Sequence, residues 1–223
     1  MIRTASEETE NELDESLKVV LVGESGVGKT SIINQFAKGI FNQDLMSTNG
    51  ATFTTNKKEF KDSNGRSKLI SFEMWDTAGQ EKYRSLAKMF FKEASVALII
   101  YDITSLKSFE EINNYWMKLV RENAPKNIIM YIIGNKADLI AKEVVKEEVA
   151  REYAKSEKVN FYLTSAKDRT GIDELFNEIG NLYLNEFINS EENQERILRK
   201  NDVTKVNKES SQGDENKKKG CCG

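Results

Sequence analysis

The chain lacks histidine altogether and has only two cysteines among its 223 residues. Without histidine, neither an imidazole base nor a histidine-ligated metal site is possible. The two cysteines, Cys221 and Cys222, are adjacent and close to the end of the sequence. They cannot cross-link a fold, so we expect a reducing cytosol as the compartment.

Long apolar runs and strong net charge are missing as well. The longest apolar runs, 96–100 and 128–133, are far shorter than the about 20 residues that span a bilayer. Residues 1–16 are acidic, contain no apolar segment of a signal peptide and do not begin with the Met-Gly of a myristoylation site. A net charge of −3 argues against a nucleic-acid partner, which requires a basic face.

What remains is a composition with 39% hydrophobic residues, enough for one α/β domain with its own core. Residues 1–16 are polar and aperiodic, and they are predicted to form a disordered acidic arm. Residues 17–189 are predicted to form the domain. Residues 190–223 are rich in charge, Ser, Asn and Gln, which predicts a flexible tail without a second core.

Short apolar runs alternate with longer amphipathic stretches through the predicted domain. The apolar runs predict six strands, at 17–22, 51–60, 69–75, 95–101, 128–134 and 161–164. The amphipathic stretches predict five helices, at 29–38, 85–93, 107–123, 145–156 and 173–189. Apolar runs without alternation indicate strands buried on both faces, hence a mostly parallel sheet between two helical layers. The Asn64-Gly65 dipeptide indicates a tight turn and one antiparallel pair.

The first predicted strand is followed by the sequence GESGVGKT at 23–30, a full Walker A match that opens a helix. Its glycines allow the backbone N–H groups and the helix N-terminus to surround a phosphate. An ordinary Gly-rich turn is the alternative, but a strand before and a helix after favour the phosphate loop. Lys29 is expected to contact the β- and γ-phosphates, and Thr30 to ligate Mg²⁺. The predicted nucleotide contacts here are Glu24, Ser25, Gly26, Val27, Gly28, Lys29, Thr30 and Ser31.

The tetrapeptide at 135–138, NKAD, follows the fifth predicted strand. The Asp138 carboxylate can accept hydrogen bonds from guanine N1–H and its exocyclic amine, and Asn135 can bond the opposite edge. Adenine lacks these donors, so such a site can reject it by roughly 10⁴-fold. Alone, the tetrapeptide would equally fit a loop with a helix cap.

A third motif, WDTAGQE at 75–81, follows the third predicted strand and supports the nucleotide interpretation. Asp76 ends the strand, where a carboxylate can support Mg²⁺ through water. Gly79 can present a backbone amide to the γ-phosphate. Gln80 can orient an attacking water, because its amide both donates and accepts.

Together these residues resemble the Ras superfamily of small GTPases and, within it, the Rab family. The motifs GESGVGKT, STNGATF, WDTAGQE, GNKADL and TSAK fall at the family's spacing over roughly residues 17–189. The resemblance implies a P-loop NTPase fold, a three-layer α/β sandwich around a mostly parallel six-stranded sheet with one antiparallel edge pair. It also implies bound GTP or GDP, Mg²⁺, and catalytic roles for Gln80, Gly79 and Lys29.

The resemblance assigns further residues by motif. Thr48 is expected to close onto Mg²⁺ when a γ-phosphate is present, joining Thr30 and Asp76 as metal-site residues, and Phe41 to stack against the base edge. The remaining residues expected near the base are Ser165, Ala166, Lys167 and Lys136. Phe53, Trp75 and Phe90 are similar to the Rab aromatic triad at the effector face, although plain core packing is the alternative for each of them.

The segments STNGATF and YRSLAKMFFKEA are most similar in sequence to those of the endosomal Rabs. Two features depart from that branch: Asn49 replaces the usual isoleucine, and residues 61–68 lengthen the hairpin between the switches. The C-terminal KKKGCCG is similar to the Rab double-geranylgeranylation signal, so Cys221 and Cys222 are expected to carry prenyl chains. Two chains satisfy the two-signal requirement for stable anchoring, and three lysines add roughly 1 kcal/mol each at an anionic leaflet.

The sequence therefore predicts a membrane-anchored GTPase switch on the cytoplasmic face of intracellular membranes, endosomal in the first instance, which cycles through the cytosol. The family implies an exchange factor, a GTPase-activating protein, a GDP-dissociation inhibitor, a prenylation escort and GTP-dependent effectors. Three alternatives remain: a P-loop kinase or ATPase, a GTP-binding module with negligible hydrolysis, and a Rab of a non-endosomal route.

Overall fold

A computed structural model describes residues 15–43, 50–62, 65–77 and 87–188 of the chain. Residues up to Gly180 belong to one compact unit, and residues 181–188 are the described part of a second. In the described ranges no helix is both long and apolar enough to cross a bilayer.

One six-stranded sheet runs through the first unit in the order β2-β3-β1-β4-β5-β6. Only the β2–β3 pair is antiparallel, and β2 is an edge strand, as the sequence predicts. The strands are β1 Glu15–Val22, β2 Ala51–Lys61, β3 Ser67–Thr77, β4 Val96–Asp102, β5 Ile129–Asn135 and β6 Asn160–Thr164.

The observed strands differ from the prediction mainly by extending into polar residues. β1 begins at Glu15, inside the arm predicted at 1–16, because its backbone pairs with β3 from Glu15 opposite Ile70 onward. β4 and β5 end one residue later than predicted, at Asp102 and Asn135. Backbone pairing requires no apolar side chain, so hydrophobicity underestimates strand length. The rest of the predicted arm lies outside the described residues.

The helices occupy the predicted connections. They are α1 Lys29–Lys38, α2 Ala87–Phe91, α3 Leu106–Glu111, α4 Met117–Asn123, α5 Glu147–Ser156 and α6 Ile172–Tyr183. The single helix predicted at 107–123 is three elements, because a π-helical turn, Ile112–Trp116, separates α3 from α4. A second π-helical turn, Leu184–Ile188, follows α6. A 3₁₀ stretch, Ala137–Lys142, was not predicted; it buries none of its residues and so carries no periodic signal.

Two apolar layers hold the helices to the two faces of the sheet. On one face the rings of Phe36 in α1 and Phe176 in α6 stack with their centroids 3.6 Å apart, and both meet Phe72 of β3 edge-on. On the other face Phe91 and Val120, from α2 and α4, belong to a separate core cluster. The three-layer α/β sandwich predicted from the sequence is confirmed.

The β2–β3 connection is the predicted hairpin. Asp62 N–H donates to the Arg66 carbonyl and Gly65 N–H to the Asp62 carbonyl, each at 2.9 Å. Gly65 has a φ of 76°, in the left-handed region that favours glycine. Asn64, the other half of the predicted turn dipeptide, lies outside the described residues.

Gly180 brings α6 close to β2. A Cβ atom at residue 180 would overlap the buried ring of Phe60. Alanine would add about 1 kcal/mol of helix propensity, while forced overpacking costs about 1–3 kcal/mol. We therefore expect Gly180→Ala to lower the free energy of unfolding by about 1 kcal/mol, measured by urea denaturation.

The matched control is the same change in a Phe60→Leu background, which removes most of the ring that the new methyl group meets. There the alanine is expected to stabilise or to be neutral. An equal loss of stability in both backgrounds would contradict the proposed contact.

Candidate functional site

The candidate site lies where the parallel strands end. β1, β3, β4, β5 and β6 run in the same direction, so their carboxyl ends meet at one edge of the sheet. In open α/β sheets, ligands bind outside this edge. We call it the nucleotide edge.

The loop after β1 has the conformation that a phosphate loop requires. Gly26 and Gly28 have φ values of 79° and 100°, and Gly28 caps the start of α1. A Cβ atom on Gly28 would collide with the Asn135 side chain. Only glycine combines this backbone conformation with this close approach, and the loop leaves the N-terminus of α1 directed at the site.

Lys29 is held across this loop. It is 6% exposed, and its Nζ donates to the carbonyl oxygens of Gly23 and Glu24, each at 2.8 Å. Burial lowers the pKa of Lys29 to about 8, against the opposing influence of Asp76 and Glu24. Within the described residues this buried ammonium bonds neutral carbonyls, and it lies at the N-terminus of α1, so it is suited to a phosphate.

Two hard oxygen donors meet beside Lys29. The Thr30 hydroxyl donates to Asp76 Oδ2 at 2.5 Å, and Asp76, near the end of β3, is 1% exposed. Across the described residues no three acidic or cysteine side chains come close enough to hold a metal ion by themselves. Hydroxyl and carboxylate oxygens fit Mg²⁺, which usually takes few protein ligands and completes its shell with phosphate and water.

Asp138, the predicted base reader, is fixed by the loop after β6. Ser165 Oγ donates to Asp138 Oδ1 at 2.8 Å, and Lys167 Nζ lies 3.8 Å from Oδ2. Ala166, which lies between Ser165 and Lys167 in the sequence, is buried and lines the pocket. The carboxylate is therefore oriented in the absence of a base.

Asn135 has a role that the sequence does not predict. Its Nδ2 donates to the Val27 carbonyl at 2.8 Å, and its Oδ1 accepts from Thr164 Oγ1 at 3.2 Å. The residue is 1% exposed. Both ends of the amide are thus engaged by protein, and the side chain joins the loop after β1, β5 and β6. The base contact predicted for Asn135 stays a prediction.

Asp102 is a site residue that sequence reasoning missed. At the end of β4, its Oδ2 lies 2.7 Å from Lys136 Nζ, and its Oδ1 accepts from the backbone and hydroxyl of Thr104. Burial alone would raise the pKa of Asp102, but the hydrogen bonds from Lys136 and Thr104 hold it below its usual value. The sequence contains a signal for it, because Asp102 directly follows an apolar run just as Asp76 does.

These groups surround one cavity of about 350 Å³, a size suited to a small-molecule ligand. The predicted residues that line it are Ser25, Gly26, Gly28, Lys29, Thr30, Ser31, Phe41, Asn135, Lys136, Asp138, Ala166 and Lys167. Asn42, Gln43, Thr77 and Leu139 also line it and were not predicted. Glu24, Val27 and Ser165 are not part of the lining; they act through the carbonyl and hydroxyl contacts described above.

Several predicted residues lie outside the described residues. These are Thr48, Gly79, Gln80, Cys221 and Cys222. Their assignments stay predictions.

The three residues of the predicted aromatic triad are neighbours in the structure but differ in solvent exposure. Ring centroids of Phe53 and Trp75 are 5.1 Å apart, and those of Trp75 and Phe90 are 6.1 Å apart. Phe53 is 51% exposed, whereas Phe90 is buried in the core cluster under Trp75. Lys18 Nζ lies 5.0 Å from the Trp75 ring centroid. The exposed part of this face is therefore Phe53 and the outer edge of Trp75, and Phe90 is a core residue.

Comparison with known proteins agrees with this geometry. The sequence profile of the Ras family matches residues 18–185. Ras-related protein Rab-22A of Homo sapiens is 42% identical over 163 residues, 73% of this chain and 81% of that protein. Ras-related protein Rab-13 of Rattus norvegicus is 39% identical over 166 residues, 74% of this chain and 79% of that protein.

A further relative matches nearly end to end. Ras-related protein YPTC6 of Chlamydomonas reinhardtii is 34% identical over 221 residues, 97% of this chain and 99% of that protein. The family match and these relatives show that the chain belongs to the Ras family of small GTPases and is of the Rab type.

Proposed function

We propose that this chain is a membrane-anchored switch that binds GTP with Mg²⁺, hydrolyses it to GDP and phosphate, and regulates vesicular membrane traffic through GTP-dependent effectors. The observation that carries the proposal is the single cavity lined by Lys29, Thr30 and Asp138. A cation for phosphates, an oxygen for a metal and a carboxylate for the base lie around one space of nucleotide size.

Base selection rests on Asp138. One of its oxygens already accepts from Ser165, which fixes the plane of the carboxylate toward the cavity. Guanine offers two N–H donors to such a group, whereas adenine would oppose it with a ring-nitrogen lone pair. This difference favours GTP over ATP and argues against a P-loop kinase or ATPase.

Phosphate binding rests on the loop after β1. On nucleotide binding Lys29 can exchange its two loop carbonyls for phosphate oxygens, and the backbone amides at the start of α1 complete the anion site. Thr30, Asp76 and Thr48 would hold Mg²⁺, Asp76 through water. Mg²⁺ held there would neutralise part of the charge that develops on the phosphate oxygens.

Hydrolysis is assigned to Gln80, with the Gly79 amide at the γ-phosphate. Asp76 and Thr77 end β3 at the nucleotide edge, and Gln80 follows Thr77 by three residues in the sequence. No arginine can be identified by motif as an internal finger, so turnover should be slow without an activating protein. An exchange factor, a GDP-dissociation inhibitor and a prenylation escort complete the proposed cycle.

The membrane assignment rests on the tail, residues 190–223. Prenylation of Cys221 and Cys222 would place the G domain, residues 17–189, on the cytoplasmic face of an intracellular membrane. The endosomal compartment is favoured by the wording of the STNGATF and YRSLAKMFFKEA segments, and a non-endosomal route is the alternative.

The first prediction concerns base choice. Asp138→Asn is expected to weaken GTP binding and to favour xanthosine triphosphate, because an amide can donate to the 2-oxo group that replaces the amine. Competition binding with fluorescent GDP measures this preference. Asp168→Asn, an exposed change in the neighbouring loop that removes the same charge, is the control and should keep the GTP preference. Unchanged GTP preference in Asp138→Asn would remove the base-reading role.

The second prediction concerns Asp102, which holds Lys136 beside the base. Asp102→Asn leaves Lys136 without its ionic partner, and we expect GDP to dissociate about tenfold faster, since hydrogen bonds to charged groups contribute about 1.5 kcal/mol or more. Single-turnover hydrolysis from bound GTP should be unchanged. Stopped-flow release of fluorescent GDP measures the rate.

Glu147→Gln is the matched control for Asp102→Asn. It removes an acidic partner from the exposed Glu147–Arg151 pair on α5, where an ion pair contributes little. Its GDP release should equal that of the parent. If Asp102→Asn releases GDP at the parent's rate, the Asp102–Lys136 pair does not contribute to holding the nucleotide.

The third prediction concerns catalysis. Leucine is similar to glutamine in size but can neither donate nor accept, so Gln80→Leu is expected to bind GTP like the parent and to hydrolyse it on the order of 10²-fold more slowly. Single-turnover phosphate release from GTP-loaded protein measures the rate. A parent-like rate would assign the positioning of water to another group and leave GTP binding intact. If phosphate release is equally slow in the parent, a GTP-binding module without hydrolysis is favoured instead.

A further inference from the structure

The hairpin end of β2 and β3 carries a cluster of basic side chains. Residues 57–68 contain five basic and two acidic residues, in a chain whose net charge is −3. Four of these side chains form what we call the basic hairpin: Lys57, Lys61, Arg66 and Lys68. The first three are exposed and Lys68 is half-buried.

The charge of three of these four side chains is not neutralised by an ion pair within the described residues. Asp62 accepts the Arg66 N–H on its side chain at 2.9 Å and so is turned toward the backbone of the turn. Within the described part of the chain, Lys61, Arg66 and Lys68 take part in no ion pair. Their charges are therefore available to a partner.

The basic hairpin lies at the edge of the sheet opposite the nucleotide. β3 runs parallel to β1 and carries Asp76 to the nucleotide edge, so its first residue, Ser67, lies at the other edge, paired with Lys61. Phe53, paired with Trp75, lies near the nucleotide end of the same two strands. Hairpin and nucleotide site are thus separated by the length of β3, 11 residues or about 36 Å.

Helix α6 leads the chain to this same edge. The residue before it, Gly171, packs against the Leu163 carbonyl near the end of β6, at the nucleotide edge. Nine residues later, Gly180 packs against Phe60, next to Lys61 of the hairpin. From here the sequence continues toward the tail that carries Cys221 and Cys222. The proposed anchor therefore lies C-terminal to a helix whose Gly180 packs beside the basic hairpin.

We propose that the basic hairpin binds the anionic lipid headgroups of the membrane in which the tail is anchored. This inference rests on the membrane anchoring of the proposed function. Each lysine or arginine near an anionic leaflet contributes about as much as a fivefold gain in binding, within a Debye length of the surface. A tethered domain needs only weak contacts, because the anchor supplies the high local concentration.

An anionic surface fits these residues better than a single protein site does. The four side chains come from both strands and lie on both faces of the hairpin, since Lys61 pairs with Ser67 and Phe60 with Lys68. Charges spread over both faces match the diffuse electric field of an anionic membrane surface. The orientation also has a consequence: with the hairpin at the bilayer, the nucleotide edge and the exposed Phe53 face the cytosol, where regulators and effectors approach.

Co-sedimentation of the full, unlipidated chain with vesicles tests the proposal. The vesicles are phosphatidylcholine alone or with phosphatidylserine. The test variant is Lys57→Gln, Lys61→Gln and Arg66→Gln combined. The control, Lys107→Gln, Lys118→Gln and Lys155→Gln, removes the same charge from exposed positions on α3, α4 and α5. Parent and control should bind the anionic vesicles, and the hairpin variant should bind them about 100-fold more weakly.

Equal losses in the two triple variants would show a general charge effect and overturn the proposal. So would parent-like binding of the hairpin variant. If the parent ignores protein-free vesicles but binds native membranes through these residues, the partner is an acidic protein and the lipid proposal is wrong. Nucleotide binding and hydrolysis of all variants should equal the parent in solution, so failure of this proposal is distinguishable from failure of the GTPase assignment.

A fluorescent reporter tests the orientation. With Cys221→Ser and Cys222→Ser the chain has no other cysteine, so Ser67→Cys places an environment-sensitive dye on the hairpin alone. Lys107→Cys, at the start of α3 just beyond the nucleotide end of β4, is the matched position. Anionic vesicles should change the emission of the dye at residue 67 and not at 107. An equal or reversed response would contradict the orientation.

Discussion

The Asn135 side chain joins the parts of the site that are farthest apart in sequence. One amide group serves the phosphate loop through Val27 and the last strand through Thr164, and it leaves no room for a side chain at residue 28. The Asn135 amide thereby sets the distance between the two ends of the cavity, for which we propose phosphate and base binding. Ligand binding to a prearranged site loses less conformational entropy.

The charged side chains of the site also have defined partners. Lys29 is buried, and its ammonium bonds carbonyl oxygens of its own loop, so a phosphate would give it a stronger partner. Lys136 is held by Asp102, and Asp138 by Ser165. Lys29, proposed to bind phosphate, therefore has neutral partners that a phosphate can replace. Lys136 and Asp138, proposed to lie near the base, are held by side chains that stay in place. This difference suits a site in which the base sets specificity and the γ-phosphate changes from one state to the other.

The local parts of this site could be predicted from the sequence. The phosphate loop requires glycines at fixed spacing, and Lys29, Thr30 and Asp138 follow from motifs a few residues long. The long-range contacts could not be predicted: Asn135 with Val27 spans 108 residues, and Asp102 with Lys136 depends on the register of β4 and β5. Phe90 shows a further limit, because an aromatic residue in a helix has the same sequence signal whether it faces a partner or the core. The π-helical turn at Ile112–Trp116 likewise leaves no mark in the periodicity.

The central claim is that the cavity recognises a guanine nucleotide through a prearranged carboxylate. Calorimetric titration of the nucleotide-free chain with GDP and with ADP, each in the presence of Mg²⁺, tests it most directly. The account predicts that GDP binds at least about 10⁴-fold more tightly than ADP, because only guanine satisfies Asp138. Comparable affinities for the two nucleotides would contradict it.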